Sequence, residues 1–158
     1  MNYKELPDSS RIWIYQSSRE LQKDEVDQIK DAGKRFIANW ATHGTALQAA
    51  MEVFYDRFIV LFADEEQVKA SGCSIDSSVH FMKEVEKAFG INLFDRMNIA
   101  YRSSNDSINT LPMHDLRELM ESGKLNDDTT IFNNLVATKG EMESNWEVPV
   151  QNSWLAGV

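Results

Sequence analysis

The residue types most capable of catalysis or ligand binding lie between positions 71 and 81, which read SGCSIDSSVHF. This stretch holds the only cysteine of the chain, Cys73, with His80 seven positions later. A thiol just ahead of a helix can be activated as a nucleophile, and a nearby histidine can act as its base. The candidate catalytic residues are therefore Cys73 and His80, with Asp76 or Asp64 as a further acidic group.

The same stretch supports two other interpretations. A glycine-containing loop that leads into a helix presents free N–H groups to an anion, although Asp76 places a negative charge there. The candidate anion-binding residues are Ser71, Gly72, Cys73 and Ser74. Alternatively, Ser74, Asp76 or Ser77 only caps a helix that starts at about Asp76, and Cys73 is a small buried side chain. The sequence leaves all three interpretations open and favours the capped helix.

A second candidate surface comes from the segment RIWIYQ at positions 11–16, whose β-branched and aromatic residues predict a strand. Its side chains alternate between two faces. If Ile12 and Ile14 face the helices, Trp13 and Tyr15 lie on an open sheet face. There they would contact a ligand, the C-terminal segment or a second subunit.

The elements that must position these residues follow from the periodicity. Residues 1–102 predict the order strand, helix, strand, strand, helix, strand, which is the βαββαβ order of the ferredoxin-like fold. The sequence thus predicts an α+β protein in which an antiparallel sheet carries helices on one face. We expect one domain over residues 1–158, in which an α-rich extension from 103 to 158 packs on that core. Gly33 lies mid-helix, where it predicts a close approach to the sheet.

Composition excludes several classes of function. The chain has 158 residues, 42% of them hydrophobic, with 25 acidic against 16 basic side chains and a net charge of −9. Such a charge repels phosphate backbones and anionic lipid surfaces, so neither nucleic acid nor a membrane is an expected partner. One cysteine forms no intramolecular disulfide, and no run of about 18 apolar residues occurs. The expected location is the cytoplasm.

Motifs for cofactors and metals are also missing from the sequence. A phosphate-binding loop requires G-x-x-x-x-G-K-[S/T]. Only Gly123 precedes a lysine, and Glu118 and Leu125 stand where the first glycine and the hydroxyl belong. We therefore expect that the chain is not a P-loop ATPase and that it uses no cofactor. Its three histidines and one cysteine have no zinc-ligand spacing, so no metal site is expected.

Six segments carry a family resemblance: LPDSSRIWIYQS, WATHG, DRFIVLFADEE, SGCSIDSSVHF, FNNLVATKGE and VPVQNSW. Over nearly its whole length the chain resembles a family of short bacterial proteins described as ABC transporter ATPases. The resemblance implies no catalytic or binding residues, because none is established for that family. It does imply a transport-associated accessory role.

The sequence as a whole predicts a small acidic cytosolic protein that binds a ligand or another protein without catalysis. The alternative is a small-molecule enzyme that uses the region of Cys73 and His80, and the accessory role is a third. The expected partners are a second copy of the chain, another protein or a small anionic ligand.

Overall fold

The computed structural model describes residues 2–156 and contains four α-helices and nine strands in that range. The helices are α1 (Lys23–Ala38), α2 (Gly72–Phe89), α3 (Leu116–Glu121) and α4 (Lys139–Asn145). The strands are β1 (Arg11–Gln16), β2 (Ala41–Thr42), β3 (Thr45–Ala46), β4 (Gln48–Phe54), β5 (Phe58–Asp64), β6 (Asn98–Arg102), β7 (Ile108–Pro112), β8 (Thr130–Phe132) and β9 (Glu147–Pro149). No helix within residues 2–156 is both long enough and apolar enough to cross a bilayer.

The chain forms two compact units. The first contains the residues up to Phe94 together with Ala137–Gly140, and the second contains Asp95–Val136 and the residues from Glu141 onward. The sequence predicted a core that ends at residue 102, whereas the continuous part of the first unit ends at Phe94.

The first unit is built on a three-stranded antiparallel sheet in the order β1-β5-β4. Its central strand β5 is the apolar run FIVLFAD, and its first six side chains are buried, as a strand covered on both faces requires. α1 and α2 cover one face, where Ile59 of β5 packs with Ile29 of α1 and Met82 of α2. Along the outer edge of β1, the N–H of Ile12 donates to Ala137 O at 3.0 Å.

The hairpin between β4 and β5 turns at Tyr55 and Asp56, which both have a positive φ. The two consecutive strands that the sequence predicted between the helices form this hairpin. Two neighbouring interactions hold the turn: the N–H of Leu21 donates to Asp56 O at 2.7 Å, and Arg57 Nε donates to Ser17 O at 3.1 Å. Burial of this guanidinium lowers the pKa of Arg57.

The second unit holds a four-stranded antiparallel sheet in the order β7-β6-β8-β9. Its core joins residues from all four strands, from α3 and from the C-terminal segment: Ile99, Leu111, Leu116, Leu125, Ile131, Val148, Val150 and Leu155. The extension from residue 103 was predicted to be α-rich, but its described residues form three strands, β7, β8 and β9, as well as α3 and α4.

The α+β class with antiparallel sheets is confirmed, but the ferredoxin-like topology is not. The order β1-β5-β4 is the arrangement expected for the first three strands. The segment predicted as the fourth strand becomes β6 and pairs with β7 and β8 in the other sheet. The edge of β1 that this strand was expected to occupy instead forms an antiparallel bridge between Arg11 and Thr138. The hairpin contact with β7 is local in sequence, so it closes at a lower entropic cost than a return to β1.

Candidate functional site

The start of α2 contains the predicted anion-binding residues, and two of their hydroxyls form the helix cap. Ser71 is the N-cap: its Oγ accepts from the N–H of Ser74 at 3.2 Å, and Ser74 Oγ accepts from the N–H of Ser71 at 3.3 Å. Ser74 Oγ also donates to Ala41 O at 2.9 Å. The helix thus begins at Gly72, about one turn earlier than predicted, because Ser71 and not a later residue caps it. These two hydroxyls already have partners inside the protein.

Cys73 is exposed, so the interpretation of it as a small buried side chain is wrong. It lies in the first turn of α2, and His80 lies seven positions later on the same helix. The rise of an α-helix places their Cα atoms about 10.5 Å apart along the axis. His80 Nε2 instead lies 3.1 Å from Oε1 of Glu84, in the direction away from Cys73. The structure therefore does not bring the candidate nucleophile and base together.

Trp13 and Tyr15 lie on the face that α1 and α2 cover, so the face assignment made from the sequence is reversed. Trp13 is opposite Leu61 and Tyr15 is opposite Ile59, and residues directly opposite in antiparallel strands share a face. Tyr15 is only 8% exposed. The larger aromatic side chains bury more apolar area beneath the helices than the isoleucines would.

The opposite face of the sheet is buried as well. Its buried residues are Ile12, Ala50, Phe58, Val60 and Phe62. The N-terminal 3₁₀ turn contributes to this cover, because the ring of Tyr3 stacks on that of Phe62 with centroids 4.9 Å apart. An exposed aromatic platform therefore does not form on either face at these positions.

A groove between α1 and α2 is a candidate binding surface of the first unit. α1 contributes Ala32, Arg35 and Phe36, and α2 contributes Asp76, Ser77, His80, Phe81 and Glu84. The groove has a volume of about 730 Å³ and is open to solvent along its length. It contains two of the predicted site residues, Asp76 and His80, whereas Cys73 and Asp64 lie outside it.

The floor of the groove is a stacked pair of phenylalanine rings. Phe36 and Phe81 have ring centroids 4.7 Å apart with 16° between their planes, and both side chains are only partly buried. Phe36 also contacts the ring of Trp40 at 5.4 Å, and Trp40 Nε1 donates to Ser74 O at 2.8 Å. This row of rings joins the groove to the core, which holds its floor in a fixed position.

The two walls of the groove carry opposite charges. The α1 wall presents the guanidinium of Arg35, and the α2 wall presents the carboxylates of Asp76 and Glu84. Among residues 2–156, no ion pair joins Arg35 to either of these carboxylates. Glu84 contacts His80, whose imidazole is charged only when protonated. The groove therefore offers a cation on one side and anions on the other to whatever occupies it.

Six of the eight residues that line the groove were not predicted as site residues from the sequence: Ala32, Arg35, Phe36, Ser77, Phe81 and Glu84. Phe81 offered a signal, because it falls outside the apolar stripe of α2. The buried positions of that helix are Ser74, Ser78, Met82 and Val85, so the serines and not Ile75 and Val79 lie deepest. An aromatic residue beside the buried stripe marks the edge of a helix that faces a neighbouring helix or a partner.

A separate network of charged side chains lies at the N-terminal end of α1. Glu25 accepts two hydrogen bonds from the Arg19 guanidinium, both at 2.8 Å, and one from the N–H of Gln22 at 2.9 Å. These bonds favour the ionised carboxylate and lower the pKa of Glu25 to about 2, with the Arg19 side chain as the largest cause. The same contact raises the pKa of Arg19. Arg19 also donates to Phe89 O at 2.8 Å, so the network ties the start of α1 to the end of α2.

Within residues 2–156, no group of three or more His, Cys, Asp or Glu side chains is placed to hold a metal ion. No protein-family model, curated protein or solved structure matches the chain.

Proposed function

We propose that the protein is a non-catalytic binding module and that it binds another protein through the groove between α1 and α2. The observation that carries this proposal is the stacked Phe36–Phe81 pair, which stays partly exposed between two charged walls. Aromatic side chains are enriched in protein interfaces, where a few well-packed residues supply most of the binding energy.

The shape of the groove favours a protein over a small molecule. Its volume of about 730 Å³ lies within the range of small-molecule sites. Such sites, however, enclose about 70–90% of their ligand, whereas this groove is open along one side. A protein surface contacts an open groove without being enclosed by it.

The arrangement of reactive side chains supports a function without catalysis. A nucleophile and its base must approach to hydrogen-bond distance. Cys73 lies outside the groove, and His80 is directed toward Glu84 instead. Ser77 also lines the groove, but its Oγ donates to Cys73 O at 3.0 Å and not to His80. The groove thus has charged and aromatic contacts, and His80 is paired with neither Cys73 nor Ser77.

The test is an NMR titration of ¹⁵N-labelled protein with the capped tripeptide acetyl-Arg-Phe-Glu-amide. We expect amide shifts that concentrate at residues 32–36 and 76–84. The matched control peptide has alanine in place of phenylalanine, and it should cause much smaller shifts. Shifts confined to residues 71–74, or turnover of an ester, thioester or phosphate panel by the purified protein, would contradict the proposal.

A further inference from the structure

We infer that the occupant of the groove is a second copy of this chain, related by a two-fold axis that runs along the groove. In this arrangement α1 of each copy packs on α2 of the other. The inference rests on the proposed function, because it names the protein that the groove binds.

The charge pattern carries the inference. A two-fold axis repeats every contact, so a patch that binds its own copy must be complementary to itself. Rotation about the length of the groove places the α1 wall of one copy against the α2 wall of the other. The cation of Arg35 then faces the α2 wall of the other copy, which carries the carboxylates of Asp76 and Glu84, and this contact occurs twice. A groove whose walls carried the same sign of charge would repel its own copy.

The stacked phenylalanine rings of the groove are also compatible with this two-fold rotation. Phe36 comes from α1 and Phe81 from α2, and they lie side by side at the floor of the groove. The rotation brings Phe36 of each copy over Phe81 of the other, so the apolar centre meets an apolar centre. Charged residues then surround it, which is the usual anatomy of an interface with an apolar core and a polar rim.

The overall charge opposes any association between copies. A net charge of −9 on each chain produces repulsion at long range. Physiological salt screens this repulsion beyond about 8 Å, whereas ion pairs in contact are screened much less. The local attraction between Arg35 and the acidic α2 wall can therefore direct two acidic chains together.

The test is sedimentation velocity over a range of concentrations from about 1 to 300 μM. We expect a concentration-dependent monomer–dimer equilibrium for the unaltered chain. Arg35→Glu places glutamate against Glu84 of the other copy, and Glu84→Arg places arginine against its Arg35. Each substitution alone should weaken the dimer by about tenfold or more. Both positions are exposed, and thermal melting of each variant checks that it remains folded.

A mixture of the two variants gives the sharpest result. In a mixed dimer, Glu at position 35 of one chain faces Arg at position 84 of the other, and the second contact keeps its original charges. The mixture should therefore dimerise about tenfold more tightly than either variant alone. Lys34→Glu makes the same change in charge at an exposed position that does not line the groove, so it should change the dimer affinity by less than about twofold.

Three outcomes overturn the inference: a monomer at 300 μM, a dimer that neither substitution weakens, or a mixture that dimerises no better than its components. A monomer whose groove still binds the phenylalanine tripeptide would leave the proposed function standing. A monomer that binds no peptide would overturn both.

Discussion

Replacement of Gly33 by alanine tests the close contact between α1 and β4. Gly33 is buried, and a Cβ built at this position would lie 2.6 Å from Met51 Sδ and closer still to Met51 Cε. Real Cβ atoms essentially never approach a heavy atom this closely, so the methionine side chain must move. The sequence predicted this close approach of helix and sheet, and it is confirmed.

Two effects of opposite sign determine the result. Alanine favours the helix over glycine by about 1 kcal/mol. Overpacking of a core costs about 1–3 kcal/mol, and the flexible end of a methionine places the cost toward the lower part of that range. We expect Gly33→Ala to lower the free energy of unfolding by up to about 1 kcal/mol. Urea unfolding followed by tryptophan fluorescence measures this difference.

Gly72→Ala is the matched control, because a Cβ at Gly72 would meet no atom within 4 Å. That variant should be neutral or more stable by a few tenths of a kcal/mol. A double-mutant cycle with Met51→Ala isolates the clash. In the Met51→Ala background the added Cβ has space, so Gly33→Ala should become stabilising by up to about 1 kcal/mol. Equal effects of Gly33→Ala in both backgrounds would refute the reasoning.

Three further predictions concern the reactivity of Cys73, the pH dependence of stability and nucleotide binding. Because Cys73 is exposed, iodoacetamide should alkylate it in the native protein without denaturant; a requirement for denaturant would contradict this. The lowered pKa of Glu25 stabilises the fold above its unfolded value of 4.5, and this stabilisation is lost as the pH falls toward 2. Glu25→Gln should therefore flatten the fall in unfolding free energy over that range, while Glu84→Gln should not. Magnesium and ATP at millimolar concentration should leave the melting temperature unchanged, because the sequence lacks a phosphate-binding loop; a clear upward shift would show nucleotide binding.

Local patterns in the sequence were enough to predict most individual elements. The helical spacing of apolar residues predicted α1 and most of α2, and the apolar run after Arg57 predicted the buried central strand β5. Periodicity reports how one segment divides into buried and exposed sides, and this depends on residues near each other in the chain. The exact start of α2 was missed, because several serines in succession could each have capped it.

Only the tertiary structure decided which elements meet. The face of β1 was ambiguous because both of its sides are apolar, so alternation could not show that Trp13 and Tyr15 lie beneath the helices. The position of β6 depends on whether it pairs with the distant strand β1 or with strands of the second unit, and it pairs with β7 and β8. The groove likewise forms from residues that are far apart in the sequence. Phe36 and Phe81 are 45 positions apart in the sequence, and their stacking arises only because α1 and α2 pack side by side on one sheet.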